Sequence, residues 1–385
     1  MEKYKKYIVG LVGLVLLVLF VIYFSEIIIW ILVAAFIAMI GNPLVELFGK
    51  LRIKKFGLPK WLASLLTIFI IWFIVIMLFR LLVPLVIDQV SEFQAIDIET
   101  ISEGLEKPIK NLDDFIQKTP ILNQPEFSTE DYILDRISSI INFTSVGNFI
   151  NDLGGTAWNL FLSLFSITFI SFFFLKDKQL FDKGVLMMVP QRYELKTSKV
   201  LLSIRKLISR YLLGVILETF FMMILFTTGL VIIGVDFDLA LLVGIISGVL
   251  NVIPYIGPWI GAIIGVILIT TANIDLDFYV QILPMIFKIL CIYAIAQLTD
   301  NILFQPLIYS KSVKAHPLEI FFVIIIAGSL YGVFGMMLAI PGYTVIRVIL
   351  KEFLYQYKFI QQLTQNMNIE QVRNKAKDSD EKKDI

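Results

Sequence analysis

The apolar stretch LALLVGIISGVLNVIPYIGPWIGAIIGVILI, Leu239–Ile269, decides the fold. Its 31 residues exceed the roughly 20 that an α-helix needs to cross a membrane, and they suffice for two half-crossings. Pro254 and Pro258 near its middle each remove a backbone donor and disfavour helix at the preceding residue. The stretch therefore predicts a hairpin that enters and leaves the membrane on one side. A single helix kinked by proline is the alternative.

The composition shows what surrounds this stretch. Apolar residues make up 58% of the 385 positions and charged residues 17%, against about 45–50% and about 25% in soluble domains. The surplus apolar surface must face lipid. The net charge of +1 argues against nucleic-acid binding. With Cys291 as the sole cysteine and His316 as the sole histidine, we predict no enzyme, no cofactor and no metal site.

Other apolar runs predict the membrane-spanning helices. A second long stretch, Pro317–Leu350, carries glycines and a proline near its middle and predicts another hairpin of the same kind. The predicted fold class is an all-α polytopic membrane protein with about six full transmembrane helices, two re-entrant or broken helical hairpins and an external helical insertion. The six predicted spans are Ile8–Phe24, Ile27–Phe48, Trp61–Leu82, Thr156–Leu175, Tyr211–Val235 and Pro284–Pro306.

Lysine and arginine predict the orientation, because cytoplasmic loops are enriched in both. The amino terminus, the loop between the second and third spans, and segment 176–210 are all basic. Segment 88–152 holds 13 acidic residues against four basic ones, which places it outside. Two re-entrant hairpins bring four lysines to the cytoplasm, and two simple crossings do not; these are Lys311, Lys314, Lys351 and Lys358. We therefore expect cytoplasmic termini in the inner membrane of a bacterium.

The predicted organisation follows chain order. We expect helices 1–3, an extracytoplasmic helical insertion, a fourth span, a cytoplasmic basic amphipathic helix, a transmembrane core with both hairpins, and a disordered cytoplasmic tail. The corresponding residues are 1–87, 88–152, 153–175, 176–210, 211–357 (with hairpins at 239–270 and 317–350) and 358–385.

The interrupted helices also predict a transport site. Transporters use helix breaks near the membrane midplane to expose polar backbone to solutes and ions. The first break supplies Asn251, Pro254, Tyr255, Gly257 and Pro258 as candidate site residues. Small residues around both breaks are candidate hinges or gates, although a stripe such as GxxxG often only packs helices. The candidate hinges are Gly261, Gly328, Gly332, Gly335, Pro341 and Gly342.

The sixth span adds an ionisable residue within an apolar run. Asp300 and Asn301 precede Gln305 and Pro306, and all four are candidate site residues. A charge at that depth costs a few kcal/mol and is a functional candidate. Asp300 can bind a cation, carry a proton, pair with a lysine or cap a half-helix, and the sequence leaves these roles open. Glu218 and Lys288 are possible charge partners, although either side chain can instead extend to the membrane surface.

Four blocks of the chain together carry a family resemblance: Asn42–Phe48, Asn251–Ala262, Asp300–Ile320 and Tyr331–Tyr343. They resemble the AI-2E family of bacterial permeases, also described as autoinducer-2 exporter-like, and the resemblance covers about residues 8–354. It implies a transporter that forms a homo-oligomer, with members associated with export of autoinducer-2 or with sodium- or lithium-proton antiport. The family commonly has Gly-Gln where this chain has Gly214-Val215.

We therefore predict a secondary transporter that exports a small polar solute, similar to autoinducer-2 and coupled to an ion or proton. The expected partners are membrane lipid, the solute, sodium or protons, and further copies of the chain. Sodium(lithium)/proton antiport is the alternative. A less favoured alternative is a non-transporting membrane scaffold whose external helices recruit partners.

Overall fold

The computed structural model describes residues 19–20, 22–50, 52–53, 56–95, 157–307 and 315–364. Within them, six helices are long and apolar enough to cross a membrane, and the predicted fold class is confirmed. One of the six, Pro317–Leu354, is the second interrupted stretch and folds back at Tyr331–Gly332. Most of the predicted first span and of the external insertion lies outside the described residues, as does the tail after Thr364.

The described elements are helical apart from one small antiparallel pair of strands, in which Ile53 lies opposite Phe56. In chain order they are α1 (Ser25–Lys50), β1 (Arg52–Ile53), β2 (Phe56–Gly57), α2 (Lys60–Ala95), α3 (Ala157–Lys176), α4 (Leu180–Met187), α5 (Gln191–Ile232), α6 (Phe237–Leu250), α7 (Ile256–Thr271), the π-turn π1 (Phe278–Ile282), α8 (Leu283–Thr299), the π-turn π2 (Asp300–Phe304), α9 (Pro317–Leu354) and α10 (Lys358–Thr364).

The chain forms two compact units. The first comprises Met1–Val75 and Asp152–Arg205. In it α1 packs closely on α2 and α3 at Gly41, where an added Cβ would lie 2.9 Å from Thr67 and 3.1 Å from Leu175. A small apolar cluster that includes Ala38, Ala63 and Leu175 continues this contact. Close approach of small residues is the usual way in which membrane helices associate.

Two ion pairs stabilise this unit around the short helix α4. Lys178 Nζ lies 2.7 Å from Glu46 Oε1, and Arg205 Nη2 lies 2.6 Å from Asp182 Oδ2. Arg205 also donates to the carbonyl of Lys178 at 2.7 Å. Burial raises the pKa of Asp182, and Arg205 opposes that shift. The Arg205 guanidinium, which donates to both groups, thus attaches the short helix α4 to α5.

The second unit comprises Ile76–Asn151 and Lys206–Ile385, and it contains both long interrupted stretches. In the first of them α6 and α7 run antiparallel, because Gly261 lies against Ser247 and Gly265 against Val243. The chain reverses between Asn251 and Tyr255. The stretch therefore folds as a helical hairpin, and the kinked single helix is excluded. Its depth in a membrane stays a prediction.

The reversal contains a strained residue. Tyr255 has φ 67° and ψ −48°, and the Ile256 amide donates to the Pro254 carbonyl at 2.8 Å. This geometry is a γ-turn of the rare type, in which a side chain crowds the backbone. Such a conformation costs roughly 1–3 kcal/mol and persists only where surrounding structure enforces it. The strain lies at the tip of the hairpin, next to the candidate site residues.

The helix α9 also folds back on itself. Tyr331 and Gly332 have non-helical backbone angles, and Gly332 has φ 59°, which glycine adopts without steric cost. The Tyr343 hydroxyl donates to Glu319 Oε2 at 2.6 Å, although 24 residues separate them. On a straight helix that separation would be about 36 Å. The second predicted hairpin is therefore present, with limbs on either side of Tyr331–Gly332.

The disordered tail was predicted to begin at residue 358, but the structure continues as a helix to residue 364. Residues 358–364 form α10, in which Ile360 and Thr364 are buried. Arg347, only 2% exposed, donates to the Leu363 carbonyl, and Lys351 donates to the Thr364 carbonyl at 3.4 Å. Cations suit the carbonyl end of a helix. The prediction was wrong at 358–364 because these tertiary contacts leave no periodic signal in so short a segment.

The packing of the first hairpin generates a stability prediction. A Cβ at Gly257 would overlap the Leu250 carbonyl, which is backbone and cannot move aside. We expect Gly257→Ala to reduce the free energy of unfolding by about 1–3 kcal/mol, measured as a lower thermal midpoint of the purified protein in detergent.

Gly342→Ala is the matched control, since Gly342 is also helical and an added Cβ there meets nothing within 4 Å. Equal midpoints for the two variants would contradict the described packing of the hairpin.

Candidate functional site

Two acidic side chains meet inside the second unit. Glu218 on α5 is 4% exposed, and Asp300, the first residue of π2, is 3% exposed. Their carboxyl groups lie close to each other. Two ionised carboxylates that are close together and shielded from water repel each other, and a proton on either group removes that repulsion. The pair is therefore a candidate for proton uptake and release.

Asn251 joins the pair from the tip of the first hairpin. Its Nδ2 donates to Glu218 Oε1 at 3.3 Å, and its side chain is 4% exposed. It is the residue at which α6 ends. The candidate site thus draws on a long helix, a hairpin break and a π-turn, which are three separate elements. Single-turn π-helical segments are frequent at functional sites.

Three amide side chains extend the site along α8 and π2. Gln297, Asn301 and Gln305 follow each other at four-residue spacing and lie on one helix face. Gln305 Nε2 donates at 2.8 Å both to Asp300 Oδ2 and to Asn301 Oδ1. Gln297 Nε2 donates to the same Asn301 oxygen at 3.3 Å. The result is a ladder of amides that leads away from Asp300.

The site has an excess of hydrogen-bond acceptors. Within the described part of the chain, Asn251 Oδ1, Gln297 Oε1 and Asp300 Oδ1 are buried and have no hydrogen-bond partner. Such atoms call for an explanation, since an unpaired buried acceptor costs about 1–3 kcal/mol. A ligand that donates hydrogen bonds, or a cation, would satisfy them. A carboxylate or phosphate would add further acceptors.

Lys288 does not contribute to this site. Its side chain is exposed, and it forms no ion pair with any described residue. It lies 12 residues before Asp300, about 18 Å along a helix. The pairing of Asp300 with this lysine, one of the possibilities from sequence, is therefore absent, and Glu218 takes the place of the partner.

The remaining residues from the first break surround the site without joining its hydrogen bonds. Pro254 and Gly257 are buried in the turn, and Pro258 is partly buried in the first turn of α7. Tyr255 is 38% exposed, and its hydroxyl forms no hydrogen bond to a described residue. Pro306 lies exposed after π2. These residues shape the backbone, whereas Asn251 provides the side-chain chemistry.

The candidate hinge Gly261 belongs to a lock between helices. Tyr293 Oη donates to the Gly261 carbonyl at 2.9 Å and lies 2.5 Å from Ser247 Oγ. The tyrosine thus ties both limbs of the first hairpin to α8. Sequence reasoning missed Tyr293 and Ser247, because 46 residues separate them and neither follows a motif. The four-residue spacing of Gln297 and Asn301 was a signal that could have been found.

The other candidate hinges all lie in the second hairpin. Gly335 packs against the Ala327 backbone and Gly328 against the Met336 side chain, next to the reversal at Gly332. Pro341 is buried in the second limb, and Gly342 is exposed beside it. The close packing involves Gly328 and Gly335, and Gly332 provides the positive φ of the reversal. Pro341 and Gly342 lie about two turns farther along.

Two apolar clusters meet at the carboxyl pair. The first contains Met222 on α5 and residues from the first hairpin and α8. The second contains Val215 on α5, Ile253 at the tip of the first hairpin, and both limbs of the second hairpin. Glu218 lies on α5 between Val215 and Met222, at spacings of three and four residues, so it shares their face. The polar site therefore lies where the two clusters adjoin.

Comparison with known proteins places this arrangement in a family. The profile of the AI-2E family transporters matches residues 11–355. The chain belongs to the AI-2E transporter family. It is a multi-pass membrane protein of a family of transporters and permeases. All the site residues described above lie within the matched range.

Individual relatives carry names of the same class. The Bacillus subtilis (strain 168) protein named "Putative transport protein YueF" is 26% identical over 341 residues, which cover 85% of this chain and 84% of that protein. "Putative transport protein YrrI" of the same organism is 26% identical over 50% of this chain and 52% of its own length. "Putative permease PerM" of Escherichia coli (strain K12) is 34% identical over 46% of this chain and 48% of its own length.

Whether Glu218 and Asp300 share a proton can be tested chemically. A hydrophobic carbodiimide reacts with protonated carboxyl groups in apolar surroundings, so we expect it to modify the pair at neutral pH. Mass spectrometry of peptides from the treated protein should find the adduct on Glu218 or Asp300, and Glu218→Gln/Asp300→Asn should abolish it. Asp238→Asn is the control, because Asp238 is exposed. Absence of any adduct on the wild-type pair would contradict the shared proton.

Proposed function

We propose that this AI-2E family protein is a secondary permease that exports a small polar solute across the bacterial inner membrane in exchange for protons. The solute binds beside the Glu218–Asp300 pair. The termini lie in the cytoplasm, and the protein works as a homo-oligomer, as the family resemblance implies. The observation that carries the proposal is the burial of two neighbouring carboxyl groups, one of which accepts a hydrogen bond from Asn251, next to acceptor oxygens that have no partner among the described residues.

The acceptor-rich site supports a solute that donates hydrogen bonds. Asn251 Oδ1, Gln297 Oε1 and Asp300 Oδ1 can each receive a hydroxyl or amino hydrogen. A polyhydroxylated furanose, of the kind to which autoinducer-2 belongs, offers several such donors on a small ring. Anionic metabolites are disfavoured, because both charged groups of the site are acidic.

The packing around the site supports alternating access. The Tyr293 lock holds the body of the first hairpin to α8. The tip of that hairpin instead packs against the second hairpin, whose limbs meet at Gly328 and Gly335. Movement of the second hairpin away from the tip would open the acceptor oxygens to one side of the membrane. Broken helices serve as such gates in secondary transporters.

The transport prediction concerns the carboxyl pair. In proteoliposomes with an imposed pH gradient and a panel of radiolabelled polyols and amino alcohols, we expect Asp300→Asn to reduce gradient-driven uptake at least roughly tenfold, a loss of about 1.4 kcal/mol in transition-state free energy. Glu218→Gln should act in the same direction, since either change removes a titratable member of the pair.

Exchange without a gradient separates coupling from binding. If Asp300 couples protons, Asp300→Asn should keep solute counterflow between equal concentrations while losing acceleration by the gradient. Asp238→Asn serves as the control and should transport like the wild type. Normal gradient-driven uptake by Asp300→Asn would leave Asp300 with a structural role only.

Sodium- or lithium-proton antiport is the second candidate, favoured by the oxygen-only character of the site. Hard cations prefer carboxylate and amide oxygens. Among the described residues no cluster of three or more histidine, cysteine or acidic side chains is present, so a permanently bound divalent metal has little support. We expect sodium or lithium to release protons from proteoliposomes loaded with a pH dye if antiport is the activity. Solute transport without this response would exclude it.

The scaffold alternative makes a different prediction. Transport would be absent for every solute and cation. Removal of residues 97–125 would abolish the protein's function in the cell, whereas substitution of the hairpin prolines would leave that function intact. The family membership and the buried pair both favour transport over this reading.

A further inference from the structure

The first unit contains an apolar cleft that the transport proposal does not use. It lies between α2 and α3 and has a volume of about 240 Å³, less than the roughly 300–1,000 Å³ of pockets that enclose compact ligands. It is open along the exposed sides of these two membrane-spanning helices. Its lining residues are Leu65 and Ile68 on α2, and Phe165, Thr168, Phe169 and Phe172 on α3.

The one polar side chain in this lining is already satisfied. The Thr168 hydroxyl donates to the Leu164 carbonyl at 2.6 Å and accepts from Trp72 Nε1 at 3.0 Å. No hydrogen-bonding group of the lining is left over for a polar ligand. The cleft therefore fits an occupant that is apolar along the whole of its bound length.

Cations flank one end of the cleft. The two helices run antiparallel, because Ala63 and Leu175 share one cluster while Trp72 bonds to Thr168 farther along. Lys60 lies five residues before Leu65, and Lys176 lies four residues after Phe172, which are distances of about 7.5 Å and 6 Å along the helices. Both lysines therefore extend past the same end of the cleft.

These lysines are available to an anion. Both are exposed and form no ion pair with a described residue, whereas neighbouring Lys178 is paired with Glu46. Lys176 Nζ lies 5.9 Å from the Phe173 ring, so its side chain bends back along α3. The charge distribution predicts that this end is cytoplasmic, where anionic lipids and basic residues meet.

We propose that the cleft binds one acyl chain of an anionic phospholipid whose phosphate lies between Lys60 and Lys176. The apolar lining holds the chain, and the two ammonium groups select the charged headgroup over a zwitterionic one. The lipid fills the gap between α2 and α3 and supports the first unit. This site is independent of the Glu218–Asp300 pair and of any solute.

Native mass spectrometry of the full chain in detergent tests the site with phosphatidylglycerol and phosphatidylcholine of identical acyl chains. We expect the wild type to retain one phosphatidylglycerol under conditions that remove phosphatidylcholine. Lys60→Gln/Lys176→Gln should lower the preference for phosphatidylglycerol roughly tenfold, because each basic residue near an anionic lipid contributes modestly. Lys183→Gln/Lys196→Gln is the charge-matched control and should keep the preference.

Leu65→Trp tests the cleft itself, because a larger side chain fills it. Leu65 is 48% exposed, so the change should leave the fold intact and reduce bound lipid at least roughly tenfold, consistent with lost apolar burial. Phe69→Trp, one turn away and outside the lining, should bind like the wild type. Equal lipid retention by wild type and Leu65→Trp would overturn the proposal. So would equal retention of both lipids, or a protein dimer that Leu65→Trp dissociates.

Discussion

Main-chain hydrogen bonding inside a membrane is the constraint on which this structure depends. A break in a membrane helix leaves amides and carbonyls that lipid cannot satisfy, so the break must be closed by protein. At the first hairpin the amides of Asn251, Val252 and Ile253 still donate to the preceding turn of α6, and Ile256 donates to Pro254. Pro258 lies in the first turn of α7, where a helix has no use for an amide donor. The prolines therefore break the helix while the four amides named above keep their acceptors.

The same constraint explains why the polar side chains gather at the breaks. Asn251 ends α6 and Asp300 begins the π-turn, so both lie where the regular hydrogen-bond pattern changes. Glu218 is different, since it comes from the uninterrupted helix α5. It lies between two apolar clusters, accepts a hydrogen bond from Asn251 and lies close to Asp300. The break supplies the amide, and the intact helix supplies the acid that meets it.

The sequence predicted the features that depend on length and on backbone chemistry. The length of about 20 apolar residues that a crossing needs identified the spans from Ile27 onward, and proline and glycine marked both reversals. Asp300 was predicted as a functional candidate because ionisable residues are expensive at that depth. What the sequence could not supply was pairing across distance. The Glu218–Asp300 contact and the Tyr293–Ser247 lock join residues that are far apart in the chain, and α10 forms because Arg347 holds its carbonyl end.

A proton shared by Glu218 and Asp300 would connect the architecture to the proposed exchange. With that proton present, the two groups would hydrogen-bond to each other and hold α5 to π2, next to the second hairpin. Loss of that proton leaves two adjacent carboxylates, which repel, and the contact between these elements then needs a donor from elsewhere. A solute hydroxyl or a cation at Asp300 Oδ1, which has no partner among the described residues, can provide it. Proton release and ligand capture would then be alternative ways to hold the same junction, which is the condition for exchange transport at a single site.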